Sequence, residues 1–109
     1  MKRVHLGEFE QVLLYALARL GDDAPGLDVA RLIETRTGRV ISPGAIYTGF
    51  DRLERRRLVA SQLGAPTAQR GGKRKRLYRA TPLGLQVLRN SHAALGEMSR
   101  GLTPKLQSS

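Results

Sequence analysis

The hydroxyl–proline pairs Ser42-Pro43 and Thr81-Pro82 divide this chain. Each marks a helix start. The hydroxyl is a good N-cap, and a proline at the first helical position gives up no hydrogen bond. Between the pairs, Leu58 to Leu63 reads as a strand. Gly64 to Gly72 holds Pro66 and glycines and reads as a loop, and Lys75 to Ala80 returns as a strand around Leu77-Tyr78. Two helices therefore bracket a hairpin with a long tip.

The residues before Ser42 are helical. Phe9, Val12, Leu13, Ala16, Leu17 and Leu20 form one stripe at helical spacing. Glu8 and Glu10 suit the positive end of that helix, and Gly21 stops it. A second helix is expected from about Asp23, with Pro25 in its first turn and Gly26, Val29, Ala30 and Ile33 facing inward, ending at Thr37-Gly38. Val40-Ile41 is expected as a stub of strand. In the helix from Ser42, Ile46, Gly49, Phe50 and Leu53 turn inward, and Tyr47, Thr48, Asp51, Arg52 and Arg55 take the opposite face. After Thr81, Leu85, Leu88, Leu95 and Leu102 stand at heptad-like spacing beside Val87, Ala94 and Met98. Residues 103–109 read as a frayed, flexible tail.

Charge is concentrated rather than spread. The 109 residues carry a net +10. Arg52 to Arg79 holds ten basic residues against Glu54 alone, a net +9, whereas residues 1–51 net −1 and residues 80–109 net +2. The densest run, Arg70-Gly71-Gly72-Lys73-Arg74-Lys75-Arg76, falls at the hairpin tip. One basic face on a near-neutral domain is the footprint of a polyanion binder. An amphipathic membrane helix fits less well, because the charge sits at a turn. Cysteine is absent, and no apolar run approaches the roughly 20 residues that span a bilayer. We expect a cytoplasmic, single-domain protein. No P-loop, HExxH, cysteine nucleophile or carboxylate pair is present, and His5 and His92 are isolated, so neither an enzyme nor a metal or cofactor site is expected.

Three short helices followed by a basic hairpin is the order of a winged helix-turn-helix, a mainly α fold with a small β-hairpin (α+β). There one helix enters the major groove and the wing rests on the adjacent backbone. Residues 1–80 would form that DNA-binding domain, and residues 81–102 a C-terminal dimerisation helix. The helix from Ser42 aims its amide end outward, a setting that favours phosphate. Ser42, Gly44, Tyr47, Thr48 and Arg52 would meet groove and phosphate. Gly71 and Gly72 let the tip approach a sugar–phosphate chain closely. Arg70, Lys73, Arg74 and Lys75 would then grip it. Phe9, Leu13, Leu85, Leu88, His92, Leu95 and Met98 are the expected dimer seam. Plainer readings stand beside these: a solvated basic loop, Tyr47 packed on the hairpin, Asp51 and Glu54 in helix ion pairs, and the late leucines inside one chain.

The chain resembles the PadR family of bacterial winged-helix transcriptional regulators. The resemblance rests on Leu6-Gly7-Glu8-Phe9-Glu10, Ala16-Leu17 to Leu20-Gly21-Asp22-Asp23-Ala24, Gly44-Ala45-Ile46-Tyr47, Asp51-Arg52-Leu53-Glu54, Leu58-Val59, the Arg-Gly-Gly wing and Tyr78-Arg79-Ala80-Thr81-Pro82-Leu83-Gly84. It covers roughly residues 6–90. It implies a homodimer that binds palindromic operator double-stranded DNA, usually as a repressor, and dimerises through the first and last helices. It also implies that Tyr47 and the Arg70–Lys75 wing lie at the DNA. Family members often take small aromatic or cationic effectors near the dimer interface, although a short member with one helix after the wing gives such a pocket less support.

Three departures stand out. Pro25-Gly26 replaces a common aromatic-Gly pair, Gly49 interrupts the third helix, and Arg57 occupies a turn where the family usually has glycine. If that turn needs positive φ, Arg57 is strained or the turn is rebuilt. Two rival functions share the charge: an RNA- or ribosome-associated winged helix, and a protein-interaction winged helix.

Overall fold

A computed structural model describes residues 5–21, 23–65 and 74–107. The element order is α1 (Glu8–Leu20), β1 (Ala24–Pro25), α2 (Gly26–Thr37), α3 (Pro43–Arg55), β2 (Val59–Leu63), β3 (Arg76–Ala80), α4 (Pro82–Ser99) and α5 (Thr103–Gln107). The fold is a winged helix: α1, α2 and α3 close over a small antiparallel sheet, and α4 runs back across α1.

Local chemistry sets the helix ends. Gly7 donates its N–H to Glu10 Oε1 at 2.8 Å, which opens α1. Gly21, at φ +76°, closes it with an N–H to the Leu17 carbonyl. The pairs at Ser42 and Thr81 work as caps. Ala45 N–H donates to Ser42 Oγ at 3.2 Å, and Gly84 N–H donates to Thr81 Oγ1 at 2.9 Å.

The helical stripes meet in one core. Leu13, Leu14 and Leu17 of α1 join Val29 and Ile33 of α2, Ile46, Phe50 and Leu53 of α3, Leu58 and Val59, Tyr78, and Val87 and Leu88 of α4. Each such side chain contributes about 1.5–3 kcal/mol on leaving water. Tyr78 stacks on Phe50 with ring centroids 4.3 Å apart, and burial pushes its hydroxyl pKa above the ordinary tyrosine value. Gly49 lets α3 close on α1: a Cβ there would lie 2.5 Å from Leu13 Cδ1 and 3.1 Å from Phe9 Cε2.

The turn after α3 is the one that Arg57 put in question. Arg57 adopts φ +63°, the left-handed region. Its N–H bonds to the Glu54 carbonyl and the Leu58 N–H to the Leu53 carbonyl, both at 2.9 Å. This nested pair is a Schellman ending, with the fully buried Leu53 and Leu58 supplying its apolar contact. A long side chain thus sits where glycine costs nothing.

Several expectations change. The sheet has three strands, in the order β1-β3-β2, because Ala24 and Pro25 pair with Tyr78 and Leu77. Consequently α2 starts at Gly26 rather than near Asp23. Val40-Ile41 forms no strand, and Val40 is 79% exposed. Thr103–Gln107, within the stretch expected as a frayed tail, forms one short helix.

Candidate nucleic-acid interface

The amide end of α3 is open. Ser42, Pro43, Gly44 and Ala45 are exposed, as are Tyr47, Thr48, Asp51, Arg52 and Arg55 along the same helix. Four core residues fix its rotation, since Ile46, Gly49, Phe50 and Leu53 are all buried on the other side. Of the expected contact residues, Ser42, Gly44, Tyr47, Thr48 and Arg52 therefore share an accessible face. Arg74 and Lys75, at the base of the wing, are also exposed. Arg70, Gly71, Gly72 and Lys73 lie outside the described residues.

Tyr47 is half packed and half open. It keeps 44% of its surface, yet its ring lies 6.3 Å from that of Tyr78. It also closes on the start of α2, where a Cβ on Gly26 would stand 3.0 Å from Cε1. Packing and groove contact are thus not alternatives for this side chain. One flank is held while the other faces solvent.

A polar chain joins α3 to the wing. Arg76 Nη1 donates to Ser61 Oγ at 3.0 Å. The Ser61 hydroxyl donates to the Glu54 carboxylate, whose oxygens lie 3.0 and 2.9 Å away. Ser61 pairs with Tyr78 across the strands and shares its face. Gln62, next along, turns to the opposite face and donates to Asp23 Oδ2 at 2.6 Å. Asp23 also sits 3.9 Å from Arg79. Carboxylates from α3 and from the segment before β1 thus hold the sheet from its two sides.

These contacts sort the basic residues. Arg56 is held by Glu10 at 2.9 Å and also donates to the His5 carbonyl. Arg76 and Arg79 are engaged as above. Of that run, Arg52, Arg55, Arg57, Arg74 and Lys75 have no carboxylate partner among the described residues. The net positive run of the sequence therefore divides into cations engaged within the fold, Arg56 on α1 and Arg76 and Arg79 on the wing, and cations without a carboxylate partner. Spacing alone gave no sign of this division, because Glu10 and Arg56 are 46 residues apart.

The expected dimer seam divides too. Leu13 is fully buried and Leu88 is 5% exposed within a single chain. Both are core, so the expectation that they face a partner is corrected. Phe9 is half-buried against the same core. Leu85, His92, Leu95 and Met98 are exposed, the last two at 56% and 78%. From His92 to Ser99 every residue of α4 is exposed, so the outer half of that helix leaves the core. His92 accepts or donates a 2.7 Å hydrogen bond with Tyr15 of α1, according to its tautomer. Sequence reasoning missed Tyr15, which is 37% exposed. A shallow groove of about 140 Å³ runs beside it, between α1 and α2, with Val12, Leu32 and Ile33 in its walls. That is below the roughly 300 Å³ at which ligand pockets usually begin. Among the described residues no cluster of His, Cys, Asp or Glu could hold a metal ion, and no helix is long and apolar enough to cross a membrane.

Comparison with known proteins fits this geometry. Residues 13–90 match the model of the transcriptional regulator PadR-like family. A 66-residue stretch is 38% identical to the transcriptional regulator Rv3488 of Mycobacterium tuberculosis, covering 61% of this chain and 58% of that protein. This chain therefore matches little more than half of that relative's length. A PadR family transcription regulator from Clostridium difficile R20291 superposes with a TM-score of 0.74 at 20% identity, over 92% of this chain and 99% of its own. A PadR family transcriptional regulator from Eggerthella lenta does so with a TM-score of 0.70 at 26% identity, over 94% and 88%.

Proposed function

Since this chain belongs to the PadR-like family of transcriptional regulators, we propose that it is a sequence-specific double-stranded-DNA-binding repressor that acts as a homodimer on a palindromic operator. The observation that carries the reading is the Arg76–Ser61–Glu54 chain, which fastens the wing to the last turn of α3. A helix whose amide end is open and a cationic ribbon are thereby joined as neighbours. In this reading Ser42, Gly44, Tyr47 and Thr48 face the major groove, and Arg52 follows one turn later. Arg74 and Lys75, with Arg70 and Lys73 beyond them, neutralise phosphates beside it.

The outer half of α4 supplies the partner surface in this reading. Leu95 and Met98 are apolar, exposed and on consecutive turns. A second copy would cover them and set two α3 helices about 34 Å apart, one turn of duplex. A small effector, if one acts, would lie against this same seam. Titration of duplex DNA against single-stranded RNA of equal length tests the reading. Tighter binding to duplex DNA, with two protomers per site, supports it. Equal or tighter binding to RNA favours a ribosome-associated role, and binding to neither favours a protein-interaction module.

A further inference from the structure

Glu8 and Arg39 form an exposed pair at the entrance to α3. Arg39 Nη1 donates to both oxygens of the Glu8 carboxylate, at 3.0 and 2.8 Å. The guanidinium also lies 6.0 Å from the centroid of the Phe9 ring. Arg39 stands three residues before Ser42, the cap of α3. Three residues of extended chain span at most about 10 Å, so the backbone of Arg39 stands within that distance of the cap of α3. Its side chain keeps 41% of its surface and that of Glu8 keeps 72%. Nothing buries the pair, and its contribution to stability is small.

We propose that Glu8 is a charge-holding residue that limits sequence-independent DNA binding. Its carboxylate keeps Arg39 in a neutral pair beside the recognition helix. The inference rests on the DNA-binding reading above. Non-specific binding arises almost wholly from cations that neutralise phosphates and release counterions. A cation within reach of phosphate but already paired releases none. Arg39 thus differs from Arg56, which stands at the far end of α3 and is held by the less exposed Glu10.

The test is the salt dependence of binding to a random-sequence 30-base-pair duplex, using the full chain. Glu8→Gln frees Arg39, and the slope of log K against log salt steepens by about 0.9, which is about 3.5-fold in affinity between 50 and 200 mM salt. The double variant Glu8→Gln/Arg39→Gln returns the slope to that of the unaltered protein. Glu97→Gln is the control. It makes the same change in net charge, in the exposed Arg100–Glu97 pair of 2.7 Å on α4, and leaves the slope alone. An unchanged slope in Glu8→Gln, or the same steepening in Glu97→Gln, overturns the inference. Neither outcome touches the DNA-binding reading, which fails only if the unaltered protein does not bind the duplex. A thermal melt verifies that each variant is folded.

Discussion

Gly84 lies directly against the carbonyl of Leu58, and a Cβ on Gly84 would overlap that oxygen. The approach is part of a joint between the end of α3 and the start of α4. Thr81 N–H donates to the same Leu58 carbonyl at 3.0 Å, and the Thr81 hydroxyl donates to the Arg57 carbonyl at 2.8 Å. The first turn of α4 is thereby fixed to the turn that follows α3. Backbone, unlike a side-chain tip, does not yield. Gly84→Ala should therefore cost about 2–3 kcal/mol despite the better helix propensity of alanine. Urea unfolding checks this, and a loss below about 0.5 kcal/mol would mean that the joint is loose.

Arg57 sits at the other side of that joint in a left-handed conformation. Such a position penalises any residue with a Cβ. Both Schellman hydrogen bonds are backbone bonds, so a glycine keeps them. Arg57→Gly should stabilise the domain by about 0.5–1 kcal/mol, less than the full steric relief because glycine also loosens the unfolded chain. Equilibrium denaturation showing a loss of stability would mean that the Arg57 side chain contributes more than its backbone costs.

Leu88 and Leu95 are one heptad apart on α4 but belong to different surfaces. Leu88 is core and Leu95 is 56% exposed. A glutamate at 88 would bury an unpaired carboxylate, so Leu88→Glu should unfold the domain. Leu95→Glu should leave helix content intact, yield monomers in sedimentation, and bind duplex DNA much more weakly. A folded, fully dimeric Leu95→Glu protein would move the seam off the outer half of α4.

Arg74 and Lys75 have no carboxylate partner among the described residues and stand at the base of the wing. Each that touches a phosphate contributes about 0.9 to the slope of log K against log salt. Replacing both with alanine should weaken binding to every sequence alike and make that slope shallower. A loss confined to one sequence would instead assign these residues to base readout.

Helical periodicity made the core half of this site legible. Ile46, Gly49, Phe50 and Leu53 declare an inner face, which leaves Ser42, Gly44, Tyr47, Thr48 and Arg52 on the other. The hydroxyl–proline pairs gave the start of α3 and of α4, because capping depends only on neighbouring residues. The turn at Arg57 was legible only through the family resemblance, which puts glycine where this chain has arginine. Strand β1 was not legible. Two residues, one of them proline, carry no strand signal, and they are extended here because Tyr78 and Leu77 pair with them. For the same reason Leu13 and Leu88 looked available to a partner: a helical stripe says that residues are covered, not by what. The ion pairs that hold Arg39 and Arg56 join residues 31 and 46 positions apart, a separation at which sequence has no periodicity to offer.

Selection of bound duplexes from a random DNA pool is the most direct measurement of whether α3 and the wing act together as the reading surface of a twofold dimer. The account predicts an inverted repeat whose half-sites are centred about 34 Å apart, one turn of the helix. Enrichment of a single asymmetric half-site, or of no sequence at all, would contradict it.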